Sequence, residues 1–158
     1  MAKAGRAGSN APVVGYTAGV FDLFHVGHLN LLRNAKGMCD ELIVGVTSDE
    51  LVTYKGRSAV IPFDERVEIV RSVRYVDAVV EQADMNKFGM WERLRFDRIF
   101  VGDDWLGTPT WKAYEEQFAT VGVSVIYFPY TTTTSSTQIV RRLTSICPTE
   151  EPAAAQHG

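Results

Sequence analysis

The stretch Val13–Gly37, VVGYTAGVFDLFHVGHLNLLRNAKG, decides how the chain folds. Its first five residues, Val13–Thr17, form a short apolar run that reads as a strand. From Val26 to Gly37 the pattern changes period. Leu29, Leu32 and Ala35 fall on one side of a helix, and Gly37 is its stop. Between the two lies a junction, Gly19–His28, holding two of the chain's three histidines.

The same alternation continues outward to both ends. Glu41–Thr47, Asp77–Val80, Arg98–Val101 and Val123–Phe128 read as strands. Phe63–Arg74, Asn86–Arg95, Thr110–Ala119 and Ser135–Ile146 read as helices. Asp64 and Glu65 open the second helix while Arg71 and Arg74 close it, as the helix dipole favours. Five strands alternating with helices predict an α/β fold: one Rossmann-like, doubly wound domain with a parallel five-stranded sheet. The domain is expected over residues 12–147, between a disordered lead at 1–11 and a disordered tail at 148–158. In such sheets ligands bind outside the carboxyl ends of the strands, where strand order reverses. The residues that follow each strand are therefore the candidates for chemistry.

Composition narrows the class. The chain has 158 residues, 46% of them hydrophobic and 22% charged, as in a soluble single domain. A net charge of −3 argues against nucleic acid as a bulk-electrostatic partner. No run is long and apolar enough to insert in a membrane, and no signal peptide is apparent, so a cytoplasmic protein is expected. Cys39 and Cys147 have no metal-site or redox spacing and read as reduced structural residues.

At the first junction His25 and His28 are three apart, with Gly27 between them. At the start of a helix they share one face. Gly27 lets a ligand approach the backbone. The helix start supplies free N–H groups and partial positive charge, which suits phosphate. A structural pair or half of a metal site are the competing readings. A metal would need further ligands, and the remaining histidine is His157 in the tail. Metal-ligand residues are therefore not expected.

The wording G-x-F-D-L-F-H-x-G-H after a first strand resembles the H-x-G-H nucleotidyltransferases, and most closely the cytidylyltransferases. The glycerol-3-phosphate cytidylyltransferases are the most similar group. The resemblance runs over about residues 13–145 and touches every expected junction. It implies an enzyme that transfers CMP from CTP to a small phosphorylated alcohol, with glycerol 3-phosphate favoured, and releases pyrophosphate. It also implies a homodimer, and Mg²⁺ carried by the triphosphate. His25 and His28 would then be catalytic, and Gly19, Val20, Phe21, Asp22 and Gly27 would contact nucleotide.

The remaining junctions extend the resemblance. In TYKGRSAVIPFDER, Lys55 matches a lysine on a mobile loop that closes over the α-phosphate; read alone, it is a surface lysine. Arg57 or Arg66 is the guess for the acceptor phosphate. Arg74, in RYVDAVV, matches an arginine that helps build the nucleotide site beside a dimer interface; alone, it is a helix-terminal cation. Gly102, Asp103 and Asp104, in GDDW, form a turn whose carboxylates can accept from the amine of cytosine or hold Mg²⁺. Ser135, Ser136 and Thr137 match the S-T-T that receives the β- and γ-phosphates, and Ser135 with Gln138 also reads as a capping box.

The chain departs from the family pattern R-T-E-G-I-S-T-T. Tyr130 stands at the arginine position, and Thr132-Thr133 at the Glu-Gly. Either Arg141 or Arg142 compensates, or the nucleotide preference differs from the family's. Two other functions are carried alongside: an adenylyltransferase acting on a sugar or polyol phosphate, and a nucleotide-binding regulatory subunit without activity.

Overall fold

The computed structural model describes residues 10–147. The expectations for 1–9 and 148–158 lie outside the described residues. The strands are β1 (Val14–Gly19), β2 (Glu41–Thr47), β3 (Ala78–Gln82), β4 (Arg98–Gly102) and β5 (Ser124–Phe128). They form one all-parallel sheet in the order β3-β2-β1-β4-β5. The helices are α1 (Val26–Lys36), α2 (Asp49–Tyr54), α3 (Phe63–Arg71), α4 (Lys87–Leu94), α5 (Pro109–Ala119) and α6 (Ser136–Ile146). The expected doubly wound α/β domain is what forms.

Two cores lie on the two faces of the sheet. Residues alternate along each strand, so neighbours face opposite ways. Ile99 and Val101 of β4 pack with Tyr16, Phe118 and Met90 under α4 and α5. Phe100, between them, packs with Leu42, Val44 and Val46 and with Leu32 and Val70 of α1 and α3.

Strand order places β1 at the centre, and the chain leaves it in one direction for β2 and in the other for β4. That is the switch point at which a crevice is expected. Pairing between β1 and β4 is short, limited to Gly15↔Arg98 and Tyr16↔Ile99. Beyond it Thr17 Oγ1 donates to the Phe100 carbonyl at 3.0 Å. Above that point the crevice opens.

Gly45 in β2 serves a specific contact. The buried Tyr16 hydroxyl donates to Gln82 Oε1 at the end of β3. A Cβ on Gly45 would lie 2.2 Å from that hydroxyl oxygen. A glycine inside a strand marks a close approach of this sort.

Most element boundaries differ from the sequence expectation by one or two residues. Two differences have physical causes. Helix α2 was not expected, because six residues are too few to show a 3.6-residue period. Helix α3 ends at Arg71 rather than Arg74, since beyond Ser72 the bonding tightens to three-residue turns, with the Val73 amide donating to the Val70 carbonyl at 3.1 Å and the Val76 amide to the Val73 carbonyl at 3.0 Å.

Candidate active site

The crevice is a cavity of about 340 Å³ at the carboxyl ends of β1, β4 and β5. Eight of the residues singled out from sequence line it: His25, Gly27, His28, Gly102, Asp104, Ser135, Ser136 and Thr137. Thr17, Asn34, Trp105, Tyr130 and Thr131 also line it.

The histidine pair is held by backbone. His25 is the N-cap of α1, and its Nδ1 accepts from the Gly27 amide at 3.0 Å. His28 Nδ1 accepts from the His25 amide at 3.3 Å. The two bonds form a capping box, and the ring centroids stand 3.9 Å apart. Burial lowers the pKa of His25. Burial, and then the neighbouring His25, lowers His28 to about 4. Both rings are therefore neutral near pH 7. A neutral imidazole that accepts at Nδ1 carries its proton on Nε2. Both residues line the cavity, and each ring keeps an Nε2–H donor that its backbone bond leaves free.

Gly27 is required for this arrangement. A Cβ there would lie 2.8 Å from His25 Cε1 and 3.0 Å from its Nδ1. The turn before the pair is also unusual. Phe21 and Leu23 both have left-handed backbone, with φ of 53° and 48°, which side-chain-bearing residues adopt at a cost of about 1–3 kcal/mol.

The other first-junction residues do not line the cavity. Gly19 ends β1, and Phe21 is buried in the core beside His28, at 5.3 Å between centroids. The Asp22 carboxylate accepts from the amides of Val60 and Ile61 at 2.8 and 2.9 Å, and its carbonyl accepts from Ser136 Oγ at 2.6 Å. Asp22 thus ties the loop after α2 and the start of α6 to the histidine turn.

Arg66 cannot meet an acceptor phosphate. It is fully buried, and it donates to the carbonyls of Val20, Thr47 and Ile61 at 2.7–2.8 Å and to Asp49 at 2.6 Å. The guanidinium fork holds together the exits of β1 and β2. Val20 contributes that carbonyl. Arg57 is exposed beside Lys55.

Of the two GDDW carboxylates, Asp104 lines the cavity. Asp103 Oδ1 instead accepts from the Tyr130 amide at 3.0 Å, joining the β4 exit to the β5 exit. Ser135 caps α6, accepting from the Gln138 amide at 3.1 Å. The reciprocal half of the box is not made, because Gln138 Nε2 turns to the Thr132 carbonyl at 3.4 Å. Arg141 and Arg142 are exposed on the body of α6 and do not line the cavity, so neither replaces the arginine absent at Tyr130. Arg74 also lies away from the cavity, donating to the Tyr75 hydroxyl at 2.9 Å.

Lys55 follows α2 as its C-cap and is exposed. Partial burial of its ammonium, and then Arg57, lowers its pKa. A second lysine stands close to it. Lys87 begins α4, where burial and then the Lys55 charge lower its pKa to about 8. Sequence reasoning missed Lys87. The signal was a cation in the first turn of a helix, where the dipole disfavours one.

Residues 16–142 match the family described as Cytidylyltransferase-like. An FAD synthase of Pyrococcus abyssi is 37% identical over 136 residues, covering 81% of this chain and 90% of that one. A glycerol-3-phosphate cytidylyltransferase of Bacillus spizizenii is 33% identical over 131 residues, covering 82% and 96%. Among solved structures, a lipopolysaccharide core biosynthesis protein of Thermoplasma volcanium superposes with a TM-score of 0.66 at 20% identity, over 77% of this chain and 98% of that one. This last likeness concerns the fold alone. The chain belongs to the cytidylyltransferase-like family of nucleotidyltransferases.

Proposed function

We propose that this protein transfers CMP from CTP to a small phosphorylated alcohol, with glycerol 3-phosphate the first choice, giving a CDP-alcohol and pyrophosphate. The observation that carries the reading is the pair of cavity-lining histidines whose Nδ1 atoms are engaged by backbone amides, which leaves Nε2–H as the donor of each neutral ring. Donors so held need no reorganisation when charge grows on a phosphate oxygen. The glycerol-3-phosphate cytidylyltransferase relative supports the choice of substrates.

In this mechanism an anionic oxygen of the acceptor phosphate attacks the α-phosphorus in line. A new P–O bond forms as the bond to the pyrophosphate breaks, and no general base is needed. Catalysis is then mainly positioning and charge stabilisation. His25 and His28 hold the α-phosphate oxygens. The free N–H groups at the start of α6, with the Ser136 and Thr137 hydroxyls, receive the leaving pyrophosphate.

Lys55 closes over the α-phosphate, and Lys87 beside it attracts the acceptor phosphate. Two like charges held together raise each other's cost until an anion arrives between them. Asp104 accepts from the base amine.

Among the described residues no group of three or more His, Cys, Asp or Glu is placed to hold a metal. Mg²⁺ on the triphosphate oxygens would neutralise charge on the leaving group. A homodimer belongs to the same reading, and a one-chain molar mass in sedimentation equilibrium would remove it.

Adenylyl transfer is the second reading, favoured by the FAD synthase relative. The deciding experiment is pyrophosphate release from CTP and from ATP, with Mg²⁺, against a panel of phosphorylated alcohols. Release with CTP and glycerol 3-phosphate is expected. Release with ATP alone would overturn the base assignment, and tight nucleotide binding without release across the panel would favour the regulatory alternative.

A further inference from the structure

The sheet order sorts the exits into three zones. The histidines follow β1 at the centre. Lys55 and Lys87 follow β2 and β3 on one side and do not line the cavity. The cavity extends the other way, over β4 and β5. If the phosphates lie at the histidines and the acceptor at the lysines, the base lies over the exits of β4 and β5.

That end of the cavity is aromatic. Phe100 and Phe128 stack there at 5.5 Å between centroids, and both line it. Two further rings line the same cavity. Trp105 is 49% exposed and Tyr130 is 53% exposed. Among the described residues, neither stacks on another ring, whereas most of the buried aromatics do. The Tyr130 backbone is not loose, since its amide is held by Asp103. A fixed backbone therefore carries an unpartnered ring to the edge of a ligand-sized cavity.

We infer that Tyr130 is a nucleotide-binding residue, whose ring stacks on the base of the bound nucleotide while Trp105 closes the same end. The inference rests on the nucleotidyltransferase reading above. Stacking of a base on an aromatic side chain is worth about 1–3 kcal/mol by alanine substitution and needs no particular base. Tyr130 accordingly holds the ring in place, and Asp104 reads its edge.

The test compares binding of a nucleoside triphosphate with binding of inorganic tripolyphosphate, which carries similar charge and no base. Calorimetric titrations use the full chain with Mg²⁺, and CTP or ATP according to which binds wild type. Tyr130→Ala is expected to weaken nucleotide binding about tenfold or more and leave tripolyphosphate within about twofold. Tyr130→Phe keeps the ring and is expected to bind nucleotide within about twofold of wild type. Equal weakening of both ligands, or no weakening of either, would overturn the inference, as would loss of nucleotide binding in Tyr130→Phe. Wild type that binds neither nucleotide would instead overturn the underlying functional reading, so the two failures are separable.

Discussion

His28 concentrates the most chemistry in the least space. Its ring packs beside Phe21 and Phe24, at 5.3 and 5.4 Å between centroids, while its Nδ1 is engaged by backbone. His28→Ala is expected to leave circular dichroism unchanged and to lower turnover about a hundredfold or more, as loss of a transition-state donor should. Normal kinetics in that variant would remove His28 from the mechanism. The histidines were legible because two of three sit in one ten-residue junction. Lys87 was not, because its meaning comes from Lys55, 32 positions earlier in the chain, and only the pairing of β2 with β3 brings the two exits side by side. The roles of Asp22 and Asp103 were equally hidden. Sequence marks a carboxylate but not the backbone amides it will meet.

At the scale of elements, Gly45 is the point most sensitive to change. A methyl group there meets the Tyr16 hydroxyl at 2.2 Å, and that hydroxyl is buried on Gln82. Gly45→Ala is expected to destabilise the protein by about 1–3 kcal/mol, as overpacking a strand does. A lowered midpoint in chemical denaturation with an unchanged slope would show it, and an unchanged midpoint would sink the account. The strands and long helices were readable because apolar period and β-branched content agree with the fold, as in Glu41–Thr47. Helix α2 was missed although Ser48 caps it at Leu51, because a cap without a following period is also a turn signal.

For the whole molecule, the buried histidine links folding to pH. His28 titrates near 6.5 when unfolded and at about 4 when folded. Between those values the unfolded chain binds more protons, so stability rises with pH across the window. The contribution is complete above about 6.5 and is lost as pH falls toward 4. His25 acts in the same direction, while the Asp22 charge opposes it at His28. In denaturant titrations the stability gap between wild type and His28→Gln is expected to widen as pH is raised from 4 to 6.5. A gap that stays constant would show that the imidazole is not protonation-coupled to folding. The central position of β1 has a consequence for synthesis. Val14–Gly19 are made before either of their neighbours in the sheet, and those on one side, residues 41–46, follow soon after. Their neighbours on the other side are Arg98 and Ile99. Until the ribosome has delivered those residues, β1 keeps one bare edge, and the half-built sheet stops where the crevice will later open.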